Sequence, residues 1–390
     1  MIIGVRSLVD NTDVHLVPSL NPDGCEAGTR HNVHDVDLNR GFPGWRDEGR
    51  LHNDLLRGRE KEVRAVMSWS QSHNFVLSIS FHDGQVLINY PWDDAPDAVE
   101  GERAVCGDDD VFKHVSSLYA DNHPFMWTGQ CLCHSETFSS GISNGAEWYL
   151  VDNGMQDYNY LFTNCMEVTA ELSCSKRPEP SKLQTEWENN LDSMLIYLGA
   201  VHAGVKGRVF DDQGEAVEGA FVEVVGRDKM MKTSRRGEYW RLLLPGSYKM
   251  RAHHENKFGR LESEEVDVEI TKNPGGGALA LNFFMKYSVT RSFTVSSFLN
   301  HEDSSDEVLD LFTTCDVLDI RRGEVKYVRL KETVFHVTVK INLDHVQHIL
   351  TISRPETDQQ LLVLNEAVDK YCSETLCGEF DSWKVTLLTK

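Results

Sequence analysis

Apolar positions in the first two hundred residues follow two spacings, one typical of amphipathic helices and one of buried strands. Val63, Val66, Met67 and Trp69 recur at helical spacing. Patterns of this kind predict helices over 59–72, 109–121 and 186–201. The pattern over 13–20 predicts a buried strand, 75–81 and 85–90 predict two further strands, and 166–171 is another strand candidate. Helices that alternate with apolar strands indicate an α/β domain.

Two stretches within this region have other compositions. Residues 21–24, with the sequence NPDG, are typical of a turn. Residues 131–147 are rich in Cys, Ser and Gly, which predicts a long surface loop.

The pattern changes near Gly204 to short alternating segments separated by turn residues. Residues 205–210 and 220–225 alternate between apolar and polar positions, and this continues to about Tyr287. Short strands at such spacing predict a small antiparallel β-sandwich. We therefore predict three regions: an α/β domain over 1–203, a β-sandwich over 204–287 and an unassigned region over 288–390. The last region has a strand-like pattern at 335–341 and a helical one at 358–371.

Composition narrows the classes of partner. The 390 residues include 39 Lys and Arg against 61 Asp and Glu, so the formal net charge is −22. A general nucleic-acid binder needs a basic face, and anionic membranes also attract basic segments, so neither class fits. The apolar runs fall far short of the ~20 residues that span a bilayer, and the first residues lack a signal-peptide pattern. Nine cysteines leave at least one free or paired between chains if the others are bridged.

Three clusters of polar residues carry the candidate chemistry. The first contains Arg30 and the 37–40 sequence DLNR, and the second contains HDG at 82–84 and YPWD at 90–93. The third contains NGAEWY at 144–149, GMQDYNY at 154–160 and ELSC at 171–174. Arginine pairs with carboxylates through two parallel hydrogen bonds. A histidine at a strand end is a candidate metal ligand, and a glutamate there is a candidate general base. Taken singly, each residue is more often structural.

Together the clusters resemble the zinc metallocarboxypeptidases, in the regulatory subfamily that includes carboxypeptidases D, E, M, N and Z. The resemblance covers about 13–200, and it continues over 204–287, where GEYWRLLLPG at 237–246 resembles the transthyretin-like domain of that subfamily. It implies a metallocarboxypeptidase fold, with a mixed β-sheet flanked by helices, followed by a small transthyretin-like antiparallel β-sandwich.

The resemblance also implies roles for eight residues. In catalysis, Glu171 corresponds to the general base and Arg30 to the arginine that polarises the scissile carbonyl. His82 corresponds to a zinc ligand, and the family more often has Gly where Asp83 stands. The implied substrate-binding residues are Asn39 and Arg40 for the terminal carboxylate, Tyr149 as a closing side chain, and Asp93 with Gln156 as the pocket for a basic side chain.

The implied function is removal of C-terminal Arg or Lys from peptides and proteins by a zinc-activated water, with one zinc ion. The implied location is extracellular or within the secretory pathway. The subfamily also places disulfides in the loop that holds Cys131 and Cys133.

One part of the family pattern is missing. The family's first two zinc ligands come from a His-x-x-Glu motif upstream of the NPDG turn, and none of the 16 histidines has Glu three residues later. Two of the three family ligands are therefore not present in this chain. Two hypotheses stay open: a truncated chain of an active enzyme whose motif precedes Met1, or a catalytically inactive peptide-binding module. The pairs His31/His34 and His345/His348 have a spacing that could serve a metal, but such pairs are more often structural.

Overall fold

The computed structural model describes residues 5–130, 133, 136–256, 259–271 and 277–287, together with eight strands between residues 294 and 353. The chain forms two compact units. The first comprises 1–209, 216–251 and 265–283, and the second comprises 210–215, 252–264 and 284–390.

The described part of the first two hundred residues contains eight α-helices and four strands. The helices are α1 (Val5–Asn11), α2 (Pro22–Ala27), α3 (His52–Leu55), α4 (Lys61–Ser72), α5 (Asp109–Ala120), α6 (Gly145–Trp148), α7 (Met155–Phe162) and α8 (Leu183–Gly199). The strands are β1 (Leu77–His82), β2 (Leu87–Tyr90), β3 (Ile142–Asn144) and β4 (Met166–Glu171). The helices predicted from periodicity correspond to α4, α5 and α8.

The four strands form one mixed sheet in the order β1-β4-β2-β3. β1 and β4 are parallel, β2 and β4 antiparallel, and β2 and β3 parallel. β4 is buried along its whole length because helices pack against it. Phe112 of α5 and Tyr197 of α8 belong to the same buried core as Val168 of β4. The predicted α/β class, a mixed sheet flanked by helices, is confirmed.

The predicted strand at 13–20 is wrong. These residues are not extended in a sheet, and Leu16 is 84% exposed. A strand must exchange main-chain hydrogen bonds with a neighbour. No strand in the described part of the chain pairs with this segment. Val14, Leu16 and Val17 are exposed, while Leu20 is partly buried against the core cluster that contains Phe42.

The predicted turn at 21–24 instead begins the short helix α2. The Asn21 side chain accepts a hydrogen bond from the Gly24 N–H at 2.9 Å, and Pro22 occupies the first helical position. Asn and Pro favour turns and helix N-termini for the same reasons: a short side-chain acceptor and a fixed φ.

The predicted surface loop at 131–147 is wrong in its second half. Residues 142–144 form β3, which pairs with β2, and Gly145 and Ala146 at the start of α6 are buried. Residues 131, 132, 134 and 135 lie outside the described part of the chain.

The region after Gly204 is built of short strands, mostly antiparallel. They are β5 (Val205–Phe210), β6 (Phe221–Val224), β7 (Met231–Lys232), β8 (Glu238–Arg241), β9 (Gly246–Asn256), β10 (Gly259–Glu262), β11 (Val266–Ile270), β12 (Leu279–Ala280), β13 (Phe283–Phe284) and β14 (Lys286–Tyr287). In the first unit β5 pairs with β8, β6 with β7 and β9 with β11, all antiparallel, while β12 runs parallel to β5. In the second unit β10 pairs with β9 and with β14.

Alternate side chains of these strands are buried, among them Val222, Val224 and Met250. This is the pattern of a sheet with one face in a core. The predicted class, a small β-domain after the α/β domain, is confirmed, and the boundaries at 203/204 and 287/288 stay predictions.

Eight further strands follow in the second unit: β15 (Thr294–Ser297), β16 (Leu311–Thr314), β17 (Asp316–Val317), β18 (Ile320–Arg321), β19 (Glu324–Val325), β20 (Val328–Arg329), β21 (His336–Leu343) and β22 (Val346–Ser353). The strand predicted at 335–341 corresponds to β21, which forms an antiparallel pair with β22. The helix predicted at 358–371 lies outside the described residues. In the part of the chain that the structure describes, none of the helices combines the length and apolar character needed to cross a bilayer.

Candidate active site

The candidate site begins at the carboxyl ends of two neighbouring parallel strands. His82 ends β1 and Glu171 ends β4, and the two residues are partners in the register of that pair. Main-chain hydrogen bonding continues just beyond the strands, with the Leu172 N–H donating to the His82 carbonyl at 2.9 Å. Their side chains therefore start from adjacent points on one edge of the sheet.

Glu171 has the environment of a proton-transfer group. Its side chain is 7% exposed, and Oε2 has no hydrogen-bond partner among the described residues. Burial raises the pKa of Glu171 to about 7, and the charge of Asp83 adds to this, while Arg30 and Lys176 oppose it. A carboxyl group with such a pKa can accept and return a proton near neutral pH.

His82 is partly buried, and this burial, together with the positive charge of Arg30, lowers its pKa to about 4. The neutral imidazole is the form that binds metal ions. A catalytic zinc site typically takes three protein ligands. The described residues contain no group of three or more His, Cys, Asp or Glu side chains placed to hold a metal ion. By themselves they do not form a catalytic zinc site.

The pair His31/His34 makes other contacts. His31 Nδ1 lies 2.8 Å from Asp35 Oδ1, and His34 Nδ1 lies 2.6 Å from Glu60 Oε2. These contacts favour the structural interpretation of the pair. The side chains of His345 and His348 lie outside the described residues.

Arg30 is oriented by Asp37. Its Nε donates to Asp37 Oδ2 at 2.7 Å, so the two terminal nitrogens of the guanidinium are not used in this ion pair. Asp37 also accepts the Asn39 N–H at 3.0 Å and thereby caps the 3-10 helix Leu38–Arg40. Burial alone would raise the pKa of Asp37, but the hydrogen bond and charge of Arg30 outweigh it and leave the pKa below its usual value. Asp37 is therefore a charged partner that holds Arg30 in place.

Asn39 and Arg40 present donors next to each other. The Asn39 Oδ1 accepts the N–H of Met155 at 2.8 Å, which orients the side-chain amide and leaves its NH₂ group as a donor. Arg40 is exposed, and one terminal nitrogen donates to the Asn39 carbonyl at 2.9 Å. An amide and a guanidinium in this arrangement suit a carboxylate.

Asp93 is the buried acid of the site, at 4% exposure. Its Oδ1 accepts hydrogen bonds from Asn89 Nδ2 at 3.0 Å and from Gln156 Nε2 at 3.2 Å. The Asp93 N–H donates to both carboxylate oxygens of Asp157 at 3.1 Å. Burial raises the pKa of Asp93 to about 7.

Two glycines lie beside this carboxylate, and one of them, Gly145, makes room for it. A Cβ at Gly145 would lie 1.9 Å from Asp93 Oδ1, so only glycine fits there. A Cβ at Gly154 would lie at the ordinary contact distances of 3.5 Å from Asp93 Oδ2 and 3.8 Å from Asn39 Oδ1, so the buried acid and Asn39 flank the same glycine.

Tyr149 lies within electrostatic range of Glu171, Arg40 and Asp93. Its side chain is partly exposed, and its pKa is raised first by burial and then by the charge of Glu171. Arg40, Asp93 and Arg30 also act on its pKa. The structure thus brings the eight predicted residues into one region, and their roles in binding and catalysis stay predictions.

Sequence reasoning missed the parts played by Asn89, Asp157 and Asp37. Each supports another site residue through a hydrogen bond. Asn89 lies four residues before Asp93 within a strand, and nothing in its local pattern marks it. Asp157 lies next to Gln156, and its role follows only from the placement of α7 against the 93–94 main chain.

Comparison with known proteins agrees with the two-part architecture. Residues 3–193 match the Zinc carboxypeptidase family, and residues 204–281 match the Carboxypeptidase regulatory-like domain.

Three relatives illustrate the similarity. The chain is 42% identical over 290 residues to "Carboxypeptidase D" of Drosophila melanogaster, covering 71% of this chain and 20% of that protein. It is 39% identical over 257 residues to "Carboxypeptidase M" of Mus musculus, covering 63% of this chain and 57% of that protein. It is 35% identical over 318 residues to "Carboxypeptidase N catalytic chain" of Rattus norvegicus, covering 74% of this chain and 67% of that protein. The chain spans only 20% of the Drosophila carboxypeptidase D but 67% of the rat carboxypeptidase N catalytic chain. On these matches the chain belongs to the zinc carboxypeptidase family.

Proposed function

We propose that this chain carries the substrate-binding side of a carboxypeptidase that removes C-terminal Arg or Lys from peptides and proteins. The observation that carries the proposal is the buried Asp93 carboxylate beside the donor pair of Asn39 and Arg40, with Gly154 between them. A C-terminal basic residue has two charged groups of opposite sign. Its α-carboxylate suits the donor pair, and its cationic side chain suits Asp93.

Recognition of the free carboxylate is the step that makes such a protein act at chain ends. Arg40 supplies a permanent positive charge, and the Asn39 amide is oriented by its bond to the Met155 N–H. An amidated C-terminus lacks the negative charge and should bind poorly.

Glu171 and Arg30 supply the groups for hydrolysis. Glu171 takes a proton from the attacking water while the water oxygen bonds to the carbonyl carbon. Glu171 then gives that proton to the leaving nitrogen as the C–N bond breaks. The terminal nitrogens of Arg30 stabilise the negative charge that develops on the carbonyl oxygen. In the family a zinc ion is part of this chemistry. His82 matches one ligand, and turnover is expected to need two further ligands that the described residues do not provide.

The second candidate function is a binding module with the same recognition and no turnover, which the incomplete metal site favours. Calorimetry on the purified 390-residue chain tests both, with three peptides that differ only at the end: free Arg, amidated Arg and free Leu. The proposal expects tightest binding of the free Arg peptide. Equal binding of the free and amidated peptides would refute the carboxylate assignment. A peptidase assay with and without added zinc then tests turnover. Zinc-dependent release of Arg would exclude the second candidate, whereas no release from this chain agrees with both candidates, because two zinc ligands are not provided by the described residues.

We also propose an extracellular or secretory-pathway location. The support is the disulfide between Cys133 and Cys174, which joins the 131–147 segment to the residues after β4. Disulfides persist mainly in oxidising compartments. Finding this bond reduced in protein purified from its natural source under alkylating conditions would count against the location.

A further inference from the structure

Helix α7, which carries Gln156 of the proposed pocket for a basic side chain, is held at both ends. At its N-terminal end, the Met155 N–H binds Asn39, Gln156 binds Asp93, and the Asp157 carboxylate binds the Asp93 main chain. α7 has eight residues and is therefore about 12 Å long. Whatever fixes its C-terminal end also limits where Gln156 and Asp157 can lie.

Lys229 makes the contacts at the C-terminal end. It lies between β6 and β7, within the stretch that matches the regulatory-like domain. Its Nζ donates to the Thr163 carbonyl at 2.5 Å and to the Tyr160 carbonyl, and lies 5.3 Å from the centre of the Tyr160 ring. The last carbonyls of a helix have no partner within the helix, and a cation there also interacts favourably with the helix dipole. Lys229 therefore caps α7 from outside the α/β domain.

A buried ion pair fixes the same corner of the helix. Arg241 is fully buried and donates to both oxygens of Asp108, at 2.9 and 2.7 Å. The Tyr160 hydroxyl donates to the same carboxylate at 2.9 Å, and Arg227 donates to it at 2.7 Å. The Tyr160 carbonyl thus accepts a hydrogen bond from Lys229, and the Tyr160 hydroxyl donates one to Asp108, the ion-pair partner of Arg241. Residues 227–241, which we call the clamp segment, hold the last turn of α7 on two sides.

We propose that Lys229 is a positioning residue for the pocket of Asp93 and Gln156 and acts through α7. A residue of the regulatory-like domain then sets the selectivity of the carboxypeptidase site for a basic end. This inference rests on the proposed function for its substrate class. A rigid helix transmits a shift at one end to the other, and the Gln156–Asp93 bond, at 3.2 Å, is close to the limit of a hydrogen bond. Release of the C-terminal end should loosen that bond and weaken the preference for a basic end.

The test compares Lys229→Met with Lys232→Met, a matched control at an exposed lysine of the clamp segment whose main chain contacts Asn164. We expect the ratio of Kd values for peptides ending in Leu and in Arg to fall about three- to tenfold in Lys229→Met and to stay unchanged in the control. Hydrogen exchange of residues 155–163 should become faster only in Lys229→Met. Lys229→Gln keeps donors without the charge, should give an intermediate ratio, and carries the test if the Met variant does not fold.

Two results would overturn the inference: an unchanged ratio with unchanged exchange, or an equal loss of affinity for both peptides, which indicates a general structural role. If the unmodified chain does not distinguish the two peptides, the proposed function fails, and the exchange measurement decides the inference alone. Faster exchange of 155–163 in Lys229→Met than in Lys232→Met then supports positioning of α7, and equal exchange refutes it.

Discussion

Replacing Asp93 by Asn removes the negative charge from the proposed pocket for a basic side chain and changes little else. Asn has nearly the shape of Asp, and its side-chain oxygen can still accept the hydrogen bonds that Asn89 and Gln156 donate to Oδ1. The variant therefore tests the charge rather than the packing of the pocket.

The expected loss follows from the burial of Asp93. Removing one partner of a buried, hydrogen-bonded charge pair costs about 2–5 kcal/mol. At ~3 kcal/mol, the Kd of a peptide ending in Arg rises about 150-fold. The same peptide ending in Leu puts no charge in the pocket, so its Kd should change less than about threefold. Calorimetry with the two peptides measures both numbers.

The same variant should remove a pH dependence. Burial raises the pKa of Asp93 to about 7, so the free protein holds a proton there in mildly acidic solution. A cationic side chain binds the ionised form, so the affinity for the Arg peptide should rise with pH up to about 7 and level off above it. Below that point it should fall about tenfold per pH unit, since binding then releases one proton. In Asp93→Asn the affinity should change much less over this range, and the remaining dependence comes from Glu171, whose pKa burial also raises to about 7.

Stability gives an independent check of the sign. The folded pKa of Asp93 lies above its unfolded value near 3.8, so the folded state retains the proton longer. The stabilisation that comes from this retained proton is therefore lost as pH rises from about 4 to 7, and the free energy of unfolding falls. Asp93→Asn should be more stable than the unmodified chain at pH 8, and this advantage should vanish near pH 4. Urea unfolding at the two pH values measures the difference.

Asp94→Asn is the matched control, since Asp94 is the next carboxylate along the chain and binds Trp45 and Arg46 instead. It should keep the preference for Arg. The reasoning about the pocket is refuted if Asp93→Asn keeps both the preference and its pH dependence.

Three further predictions concern packing and covalent links. Gly145→Ala should reduce the Arg preference at least as strongly as loss of the pocket charge, because its Cβ would overlap the pocket carboxylate, and the same two peptides measure this. Arg241→Met should lower the free energy of unfolding by about 3 kcal/mol or more in urea titrations, because it breaks a buried ion pair; Lys249→Met, at an exposed pair, should cost less than about 1 kcal/mol. Cys133→Ser opens the disulfide to Cys174, with a sequence separation of 41, and should cost up to about 4 kcal/mol in the same titration under oxidising conditions, with no such difference in reductant.

Elements with a strong local pattern could be predicted from the sequence. The helices α4, α5 and α8 carry apolar side chains at helical spacing, and β4 alternates the apolar Met166, Val168 and Ala170 with polar residues. The positions of His82 and Glu171 at strand ends follow from these patterns. That they face each other follows from the parallel register of β1 and β4, which no local pattern contains.

Elements that depend on a distant partner could not be predicted. Residues 13–20 have the composition of a strand, yet no described strand pairs with them, and Leu16 is exposed. Residues 142–144 have the composition of a loop, yet they form β3 because β2 offers a free edge there. Asn89 and Asp157 belong to the site for the same reason: each is defined by what tertiary packing places beside it.

Peptide recognition and metal binding differ in how much structure they need, and this determines which can be observed separately. The donor pair depends on the 3-10 helix Leu38–Arg40 and one bond to Met155, and the acid depends on α7 and on Gly145. Each of these contacts contributes some affinity by itself. A catalytic zinc site gains useful affinity only when three donors converge on one point, so a single imidazole such as His82 contributes little. Binding of a peptide with a free C-terminal Arg therefore does not require the metal, and it is the measurement that can support the site assignment whether or not hydrolysis follows.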